Sequence, residues 1–214
     1  MTPEHASDLA RQVCELAPVV PVLVIDDASR AEGLAKALIA GGLPALEVTL
    51  RTPAALEAIA EMAKVAGGVV GAGTLLTAED VEAAKLAGAV FGVSPGATDR
   101  LLDACEANDL PLLPGAATST EVMRLLERGY TMQKFFPAEA NGGAKALKAI
   151  GAPLPQVKFC PTGGITLENA HDYLSLSNTI CVGGSWVAPS GLVRAGDWAA
   201  ITALAVGSEP APLP

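Results

Sequence analysis

Three side chains that could carry chemistry lie in or beside short apolar runs: Lys134 in "TMQKFFP", and Glu47 and Arg51 in "EVTLR". A lysine in a buried strand is costly unless an acid pairs with it or it gives up its proton, and an amine without its proton is a nucleophile. The structural alternatives are that Lys134 ends a strand and reaches water, or that it forms a purely structural ion pair with Glu47. The residues therefore predict either a nucleophilic lysine with a proton-transferring acid or a structural pair.

A second signal comes from glycine pairs at the ends of the last two apolar runs. "PTGG" contains Thr162, Gly163 and Gly164, and "VGGS" contains Gly184 and Ser185. Backbone N–H groups that no side chain obstructs can surround a phosphate beside a helix N-terminus, although glycine pairs also make simple tight turns. Two such pairs in the loops after the seventh and eighth strands of a barrel favour a phosphate site.

Eight runs rich in Val, Ile and Leu alternate with helical stretches, and they would position these residues. The runs cover residues 19–25, 45–50, 68–74, 89–96, 110–116, 131–137, 156–164 and 179–185. Nearly continuous apolar runs are typical of parallel strands buried on both faces. They predict an α/β fold, a (β/α)8 TIM barrel with an extra N-terminal helix over about residues 4–17, with chemistry at the carboxyl ends of the strands. An open doubly wound sheet is the alternative, but "VIDDAS" follows the first run where a GxGxxG motif is expected.

Local signals predict where the helices begin and end. Serine or threonine followed three residues later by an acid predicts a capping box, proline predicts a first helical turn, and glycine predicts a left-handed C-terminal cap. The predicted capping boxes are Ser29 with Glu32, Thr77 with Asp80 and Thr118 with Glu121, the proline start is Thr52-Pro53, and the glycine caps are Gly41, Gly67, Gly88 and Gly129.

Composition limits the class of protein and its partners. The chain has 214 residues, 50% hydrophobic and 17% charged, which predicts one domain over residues 1–206 and a disordered proline-rich tail over 207–214. A net charge of -9 argues against nucleic acid or an anionic membrane as partner and favours a small molecule. The polar start "MTPEHASDLARQ" lacks the pattern of a signal peptide, and the apolar runs are too short to span a membrane, so we expect a cytoplasmic protein.

Cysteine and histidine usage gives no sign of a metal site. Cys14, Cys105, Cys160 and Cys181 are scattered without CxxC spacing, and small buried apolar side chains are the expected use of such cysteines. With only two histidines in the chain, a histidine-rich metal centre is not expected either.

Seven motifs occur in order between about residues 19 and 200: "EVTLRT", "GAGT", "SPG", "PLLPGAATSTE", "KFFPAEANGG", "KFCPTGGI" and "VGGSW". Together they resemble the bacterial 2-keto-3-deoxy-6-phosphogluconate / 4-hydroxy-2-oxoglutarate (KDPG/KHG) aldolases, and "KFFPAEANGG" is the most specific of them. The resemblance implies a class I aldolase with a (β/α)8 fold that needs no metal and no cofactor, acts on a small keto acid and forms a homotrimer.

The resemblance also implies a role for each matching position. Lys134 would form the Schiff base and Glu47 would transfer protons. The implied substrate contacts are Arg51 and Thr74 at the carboxylate end and Thr162 near the hydroxyl groups, with Pro95 and Phe136 completing the predicted substrate-binding set. The implied phosphate-binding residues are Gly163, Gly164, Gly184 and Ser185.

The implied reaction is reversible cleavage of KDPG to pyruvate and glyceraldehyde 3-phosphate, with 4-hydroxy-2-oxoglutarate, which gives pyruvate and glyoxylate, as a further substrate. Three alternatives stay open on the residues alone. The first is an aldolase for the galactonate epimer. The second is a phosphosugar isomerase or epimerase barrel, which has no need of Lys134. The third is a barrel that only binds a phosphorylated metabolite, with Glu47 and Lys134 as a structural pair.

Overall fold

A computed structural model describes residues 1–208 of the chain as an α/β fold built on a curled parallel sheet. All eight apolar runs contain strands, each shorter than its run. The strands are β1 Val19–Leu23, β2 Ala45–Thr49, β3 Val69–Gly73, β4 Phe91–Val93, β5 Leu112–Leu113, β6 Gly115–Ala116, β7 Met132–Phe135, β8 Lys158–Pro161 and β9 Val182–Gly184.

The strands pair in chain order. Six of them form a sheet in the order β5-β4-β3-β2-β1-β9, and three form a second sheet in the order β6-β7-β8. Two isolated parallel bridges, Phe159 with Thr179 and Thr162 with Gly183, connect the β8 segment to the β9 segment. The first strand lies between the second and the last, without the reversal of strand order that an open doubly wound sheet has at its switch point. The strand order is therefore not that of a doubly wound sheet.

The fifth predicted run gives two strands because a proline interrupts it. Pro114 separates β5 from β6 and has no N–H to donate, so the hydrogen-bond ladder breaks at that residue. Its carbonyl still accepts from the backbone N–H of Lys134 at 2.8 Å. Pro114 therefore connects the six-stranded sheet to the strand that carries the lysine.

Helices follow the strands and cover the outer face of the sheet. They are α1 Pro3–Cys14, α2 Ala31–Ala40, α3 Ala55–Met62, α4 Ala78–Leu86, α5 Asp99–Ala107, α6 Ser119–Arg128, α7 Gly143–Gly151, α8 Ala170–Leu174, α9 Ser190–Ala195 and α10 Trp198–Val206, with a short 3-10 helix over Ala28–Arg30. The extra N-terminal helix is confirmed and ends three residues earlier than predicted. No helix among residues 1–208 has both the length and the hydropathy needed to cross a membrane.

Two of the three predicted capping boxes are confirmed, those of Thr77 with Asp80 and Thr118 with Glu121. The third is wrong because Asp27, two residues before Ser29, caps the 3-10 helix that precedes α2 and accepts from the hydroxyl of Ser29. The proline start is also wrong. Thr52 instead donates its hydroxyl to the carbonyl of Ile25, and α3 begins at Ala55.

Three of the four predicted glycine positions adopt the left-handed conformation: Gly67, Gly88 and Gly129 have φ of 86°, 99° and 112°. Gly41 does not, because the helix cap falls on it with φ of -83° and the turn follows one residue later, at Gly42. A local signal here predicted the correct turn and missed the residue that makes it.

The interior of the curled sheet holds a second, smaller apolar core, which we call the inner cluster. One or two residues from most strands contribute to it, together with one face of α1. Its buried members are Ala10, Cys14, Val20, Ala45, Phe91, Val93, Leu113, Met132, Cys160 and Cys181. Ser7 of α1 accepts from the backbone N–H groups of Thr131 and Met132, both at 2.9 Å, so α1 covers the interior at the amino end of β7. The carboxyl ends of the strands form the opposite, open end.

The last helix ends at residues that the structure still describes. Gly207 caps α10, and the buried hydroxyl of Ser208 donates to the carbonyl of Ala205 at 2.6 Å. Residues 209–214, most of the predicted disordered tail, lie outside the described residues.

Candidate active site

Glu47 and Lys134 meet inside the curled sheet, although 87 residues separate them in the chain. Glu47 lies in β2 and Lys134 in β7, so the two residues come from the two different sheets. Lys134 Nζ donates to Glu47 Oε1 at 3.3 Å, and the two residues are only 5% and 3% exposed. The expectation that Glu47 and Lys134 meet is confirmed, and the alternative in which Lys134 ends a strand and reaches water is wrong.

A glycine in the neighbouring strand makes room for the glutamate. A Cβ atom at Gly73 of β3 would lie 2.3 Å from Glu47 Oε1 and 2.7 Å from its Cγ, closer than real atoms approach. Gly73 is therefore a positioning residue that the sequence reasoning missed. The "GAGT" motif was the available signal, since glycine within a strand often marks the close approach of another group.

Burial determines the proton affinity of the glutamate. Loss of solvent raises the pKa of Glu47 above its ordinary value, and the positive charges of Lys134 and Arg51 offset part of that rise. A carboxyl group with a raised pKa can accept and return a proton nearer neutral pH than an exposed one can. The pair is therefore suited to proton transfer as well as to attraction between opposite charges.

The two phenylalanines after the lysine face different surroundings. Phe135 is completely buried in the larger of the two apolar cores of the protein. Phe136 is half-buried, and Lys134 Nζ lies 5.2 Å from the centre of its ring. Within about 6 Å, the face of an aromatic ring attracts a positive charge. Phe136 therefore forms one wall beside the amine.

Arg51, Thr74 and Pro95 follow the carboxyl ends of β2, β3 and β4. Arg51 is exposed, yet its charge acts on the buried Glu47. Thr74 adopts a left-handed conformation with φ of 63°, which is uncommon for a residue that is not glycine and is often found at functional sites. Pro95 is half-buried. A Cβ atom at Gly115 would lie only 2.3 Å from the carbonyl oxygen of Pro95, so this glycine allows the two segments to approach closely. All three residues lie at the same end of the sheet as Lys134.

The two glycine loops are adjacent, as predicted from their places after consecutive strands. Thr162 bridges to Gly183, and a Cβ at Gly183 would lie 2.3 Å from Thr162 Oγ1. Gly163 and Gly164 have φ of 101° and 78°, the left-handed region that glycine adopts without strain.

The second loop also needs its glycine. A Cβ at Gly184 would collide with the ring of Trp186, and Ser185 beside it is exposed. The loop residues that were predicted to bind phosphate therefore lie on adjacent segments, with the side chain of Trp186 packed against Gly184 and that of Glu139 against Gly164.

Hydrogen bonds attach the lysine strand to the first glycine loop. The N–H groups of Ala138 and Glu139 donate to the carbonyls of Thr162 and Gly163 at 2.8 and 3.0 Å. The Glu139 side chain accepts from the hydroxyl of Tyr173, so this carboxylate has a structural partner. The bonds fix the position of Gly163 relative to Lys134.

A cavity of about 370 Å³ lies between α5 and α6. Leu102, Arg124 and Arg128 are among its lining residues, and so is Pro95 of the predicted substrate-binding set. Neither Glu47 nor Lys134 lines it. We place the candidate active site at the buried pair of Glu47 and Lys134, because the chemistry of the side chains decides what can react and the volume of a cavity does not.

A curled parallel sheet with a buried lysine–glutamate pair at its open end fits enzymes that react through a lysine amine. Comparison with known proteins narrows that class. A family model described as KDPG and KHG aldolase matches residues 10–204, and the chain belongs to this family.

Relatives and solved structures agree with the family. A 2-dehydro-3-deoxy-phosphogluconate aldolase of Pseudoalteromonas atlantica is 53% identical over 92% of each chain. The crystal structure of the 2-keto-3-deoxy-6-phosphogluconate aldolase of Zymomonas mobilis with 3-phosphoglycerate has a TM-score of 0.88 and 52% identity, covering 92% of this chain and 93% of that one. The KDPG aldolase of Legionella pneumophila, with pyruvate captured as a covalent carbinolamine intermediate, has a TM-score of 0.90 and 45% identity, covering 94% and 98%.

Proposed function

We propose that this protein is a class I aldolase that cleaves 2-keto-3-deoxy-6-phosphogluconate reversibly to pyruvate and glyceraldehyde 3-phosphate. The observation that carries the proposal is the buried contact of 3.3 Å between Lys134 Nζ and Glu47 Oε1. The carbinolamine named for the Legionella relative supports covalent chemistry at an amine, and membership of the family supports the reaction.

Lys134 is the proposed nucleophile. Without its proton, Nζ attacks the C2 ketone of the substrate to form a carbinolamine, which loses water to give an iminium ion. When the C3–C4 bond breaks, its electrons move into the iminium, and the aldehyde leaves. Protonation at C3 followed by addition of water then releases pyruvate and the free amine.

Glu47 is the proposed proton-transfer residue. Its carboxylate takes the proton of the C4 hydroxyl as the C3–C4 bond breaks, and it serves the steps that form and dehydrate the carbinolamine. Its raised pKa supports this role, because the carboxyl must both accept and return a proton in each turnover. Gly73 acts through Glu47 by leaving the space that the carboxyl occupies.

Residues at the carboxyl ends of β2, β3 and β4 form the proposed binding site for the pyruvate half. Arg51 holds the carboxylate in a bidentate fork, which fixes the ketone near Nζ and supplies the positioning that raises the effective concentration of the reacting groups. Thr74 and Pro95 line the same end, and Phe136 shields the amine from water.

The glycine loops form the proposed phosphate site. The N–H groups of Gly163, Gly164, Gly184 and Ser185 would hold the phosphate, and Thr162 would contact the hydroxyl groups between the phosphate and the ketone. The left-handed conformation of Gly163 and Gly164 supports this proposal, because it exposes successive backbone N–H groups. Binding energy from the phosphate would then serve the reaction at C2.

The two sheets are proposed to form one closed (β/α)8 barrel within a single domain of residues 1–206. Two observations support closure. Only Pro114 separates β5 from β6, so the two short strands count as one, and two isolated bridges connect the β8 and β9 segments.

A homotrimer and a cytoplasmic location are proposed as well, the latter supported by four buried cysteines that are free of disulfides. Sedimentation of the purified protein tests the trimer.

Parallel kinetics on three keto acids test the function. The substrates are KDPG, its galactonate epimer and 4-hydroxy-2-oxoglutarate, and the readout is pyruvate release. We expect the largest kcat/KM for KDPG, and a lower value for 4-hydroxy-2-oxoglutarate because it has no phosphate to bind the glycine loops. Absence of pyruvate release from all three by folded protein would refute the proposal.

A further inference from the structure

Three cysteines from separate elements meet inside the curled sheet, where Cys160 pairs with Lys134 across the ladder between β7 and β8. Cys14 ends α1, Cys160 lies in β8, and Cys181 immediately precedes β9. All three are free thiols, and their Sγ atoms lie within 4.8 Å of one another. The sequence predicted the burial of these cysteines and not their meeting, because no short spacing connects them.

The distances suit a single central atom. Sulfur ligands lie about 2.3 Å from a metal such as zinc, and three of them placed evenly around one atom are then about 4 Å apart. Sulfurs that already lie within 4.8 Å of one another need only small shifts to reach such an arrangement. The fourth cysteine, Cys105 in α5, is also buried but is not part of this group.

The surroundings limit the charge that the site can hold. The three residues are at most 2% exposed and belong to the inner cluster, whose other members include Val20, Ala45 and Met132. Net charge in such surroundings is costly. Three thiolates around a divalent ion leave one negative charge, whereas three thiolates around a trivalent atom leave none. Lys134 lies beside Cys160 across the ladder, but its amine is already paired with Glu47 at 3.3 Å, so the surroundings favour a neutral site with a trivalent occupant.

We propose that Cys14, Cys160 and Cys181 form a three-thiol binding site for a trivalent, sulfur-seeking metalloid of the arsenite class. In the binding reaction, each S–H transfers its proton to a hydroxyl group of arsenous acid. Three arsenic–sulfur bonds form, three arsenic–oxygen bonds break and three waters leave. No atom changes oxidation state, and the product is neutral.

Arsenite itself is the probe, and mass spectrometry of the intact, reduced protein is the measurement. The thiols are buried, so the protein is incubated with arsenite both in the folded state and during refolding from urea. We expect one adduct per chain, with the mass of one arsenic atom less three hydrogens. At about 100 times the dissociation constant, the Tm should rise by about 5 to 10 °C.

Variants distinguish the site from other thiols. Cys14→Ala and Cys181→Ala should each weaken arsenite binding by at least about 100-fold, because even the loss of a ligand's hydrogen-bond partner costs about 10- to 100-fold. Cys105→Ala is the matched control, since it removes a buried cysteine outside the group, and it should bind as the wild type does.

Two results would overturn the proposal. One is absence of any adduct after refolding with arsenite. The other is an adduct one water heavier, which would mean that two thiols bind and arsenic keeps a hydroxyl. Neither readout depends on aldolase activity, so the outcome is independent of the proposed function.

Discussion

Two clusters of charged residues in this protein differ in what surrounds them. Glu47 and Lys134 form one buried pair inside the sheet, with side chains that are 4% and 6% exposed. Arg128, at the end of α6, forms several ion pairs at the surface. Its Nε lies 2.9 Å from Glu106 Oε1, and it makes further contacts to Asp103 and Asp99; we call these four residues the surface cluster. The side chain of Arg128 is 23% exposed.

The comparison shows how to tell a reactive charge from a structural one. Arg128 reaches both carboxylate oxygens of Glu106 at 2.9 Å, and Tyr130 donates to the same carboxylate, so each polar group is satisfied by protein. Among residues 1–208, the amine of Lys134 has one hydrogen-bond partner, Glu47, at 3.3 Å. A buried charge with so few partners contributes little to stability, which favours a chemical role for the inner pair.

The largest effect is expected from removing the amine. Lys134→Ala should lower kcat by at least about 10⁴-fold, because loss of a covalent nucleophile removes the whole reaction path. The matched control is Lys158→Ala in β8, whose Nζ donates to the carbonyl of Ser177 at 2.7 Å. That variant should keep kcat within about twofold of the wild type. If both variants fold and have equal activity, the claim that Lys134 is reactive and Lys158 is structural is wrong.

Glu47→Gln is expected to have the next largest effect. The amide cannot take a proton, so kcat should fall by about 10² to 10⁴-fold, the usual contribution of a general acid or base. Glu106→Gln, in the surface cluster, serves as the comparison and should leave kcat unchanged. Steady-state kinetics of both variants make the test, and a Glu47→Gln enzyme with normal kcat would assign proton transfer to another group.

Gly73→Ala tests the inner pair without altering its charge. The added methyl occupies the place of the Glu47 carboxyl and displaces it, so we expect kcat to fall by about 10- to 100-fold, as it does when a catalytic group is misplaced by about an ångström. The fall should be in kcat more than in KM, and the pH profile should shift as Glu47 moves. An unchanged kcat and profile would show that the position of the carboxyl does not matter.

The surface cluster should respond in stability and not in activity. Arg128→Met should lower the free energy of unfolding by about 1 to 3 kcal/mol, because it breaks several charged hydrogen bonds and leaves Glu106 half-satisfied. Urea denaturation measures the loss, and kcat should remain within about twofold. A large fall in kcat with normal stability would contradict the division of roles.

The smallest expected effect is a contrast in pH dependence. Hydrogen bonds from Ala117 and Thr118 lower the pKa of Glu121, the capping acid of the helix that carries Arg128. Because the pKa of Glu121 is lowered in the folded protein, its carboxylate stabilises the protein at pH values above the ordinary pKa near 4.5. This stabilisation is lost as the pH falls below that value. Glu47 has the opposite sign: its pKa is raised, so its contribution falls as pH rises above 4.5. Urea denaturation of Glu121→Gln from pH 3 to 7 should show about 1 kcal/mol of lost stability only at the upper end.

Local signals predicted much of the fold. The eight apolar runs contain the strands, and Thr77 and Thr118 cap helices because both partners of each box lie within three residues. The capping box predicted at Ser29 is wrong because Asp27, two residues earlier, acts as the cap instead. Pro114 divides into two strands a run that the sequence predicts as one. These errors concern which of several adjacent residues acts, a choice that packing makes.

The sequence predicted the residues of the inner site only where they lie at strand ends or within the family motifs. Glu47, Lys134 and the glycine loops were predicted, because each lies in or after a strand and the carboxyl ends of parallel strands gather. The space that Gly73 leaves and the meeting of Cys14, Cys160 and Cys181 depend on contacts between distant segments. No spacing in the sequence records such contacts.

Trapping the imine tests the central claim most directly. The protein is treated with sodium borohydride in the presence of pyruvate, digested and analysed by mass spectrometry. If Lys134 is the nucleophile, the peptide that contains it gains the mass of the reduced pyruvate imine, and the Lys134→Ala variant gains nothing. Labelling of a different lysine, or no labelling of folded protein, would contradict the account.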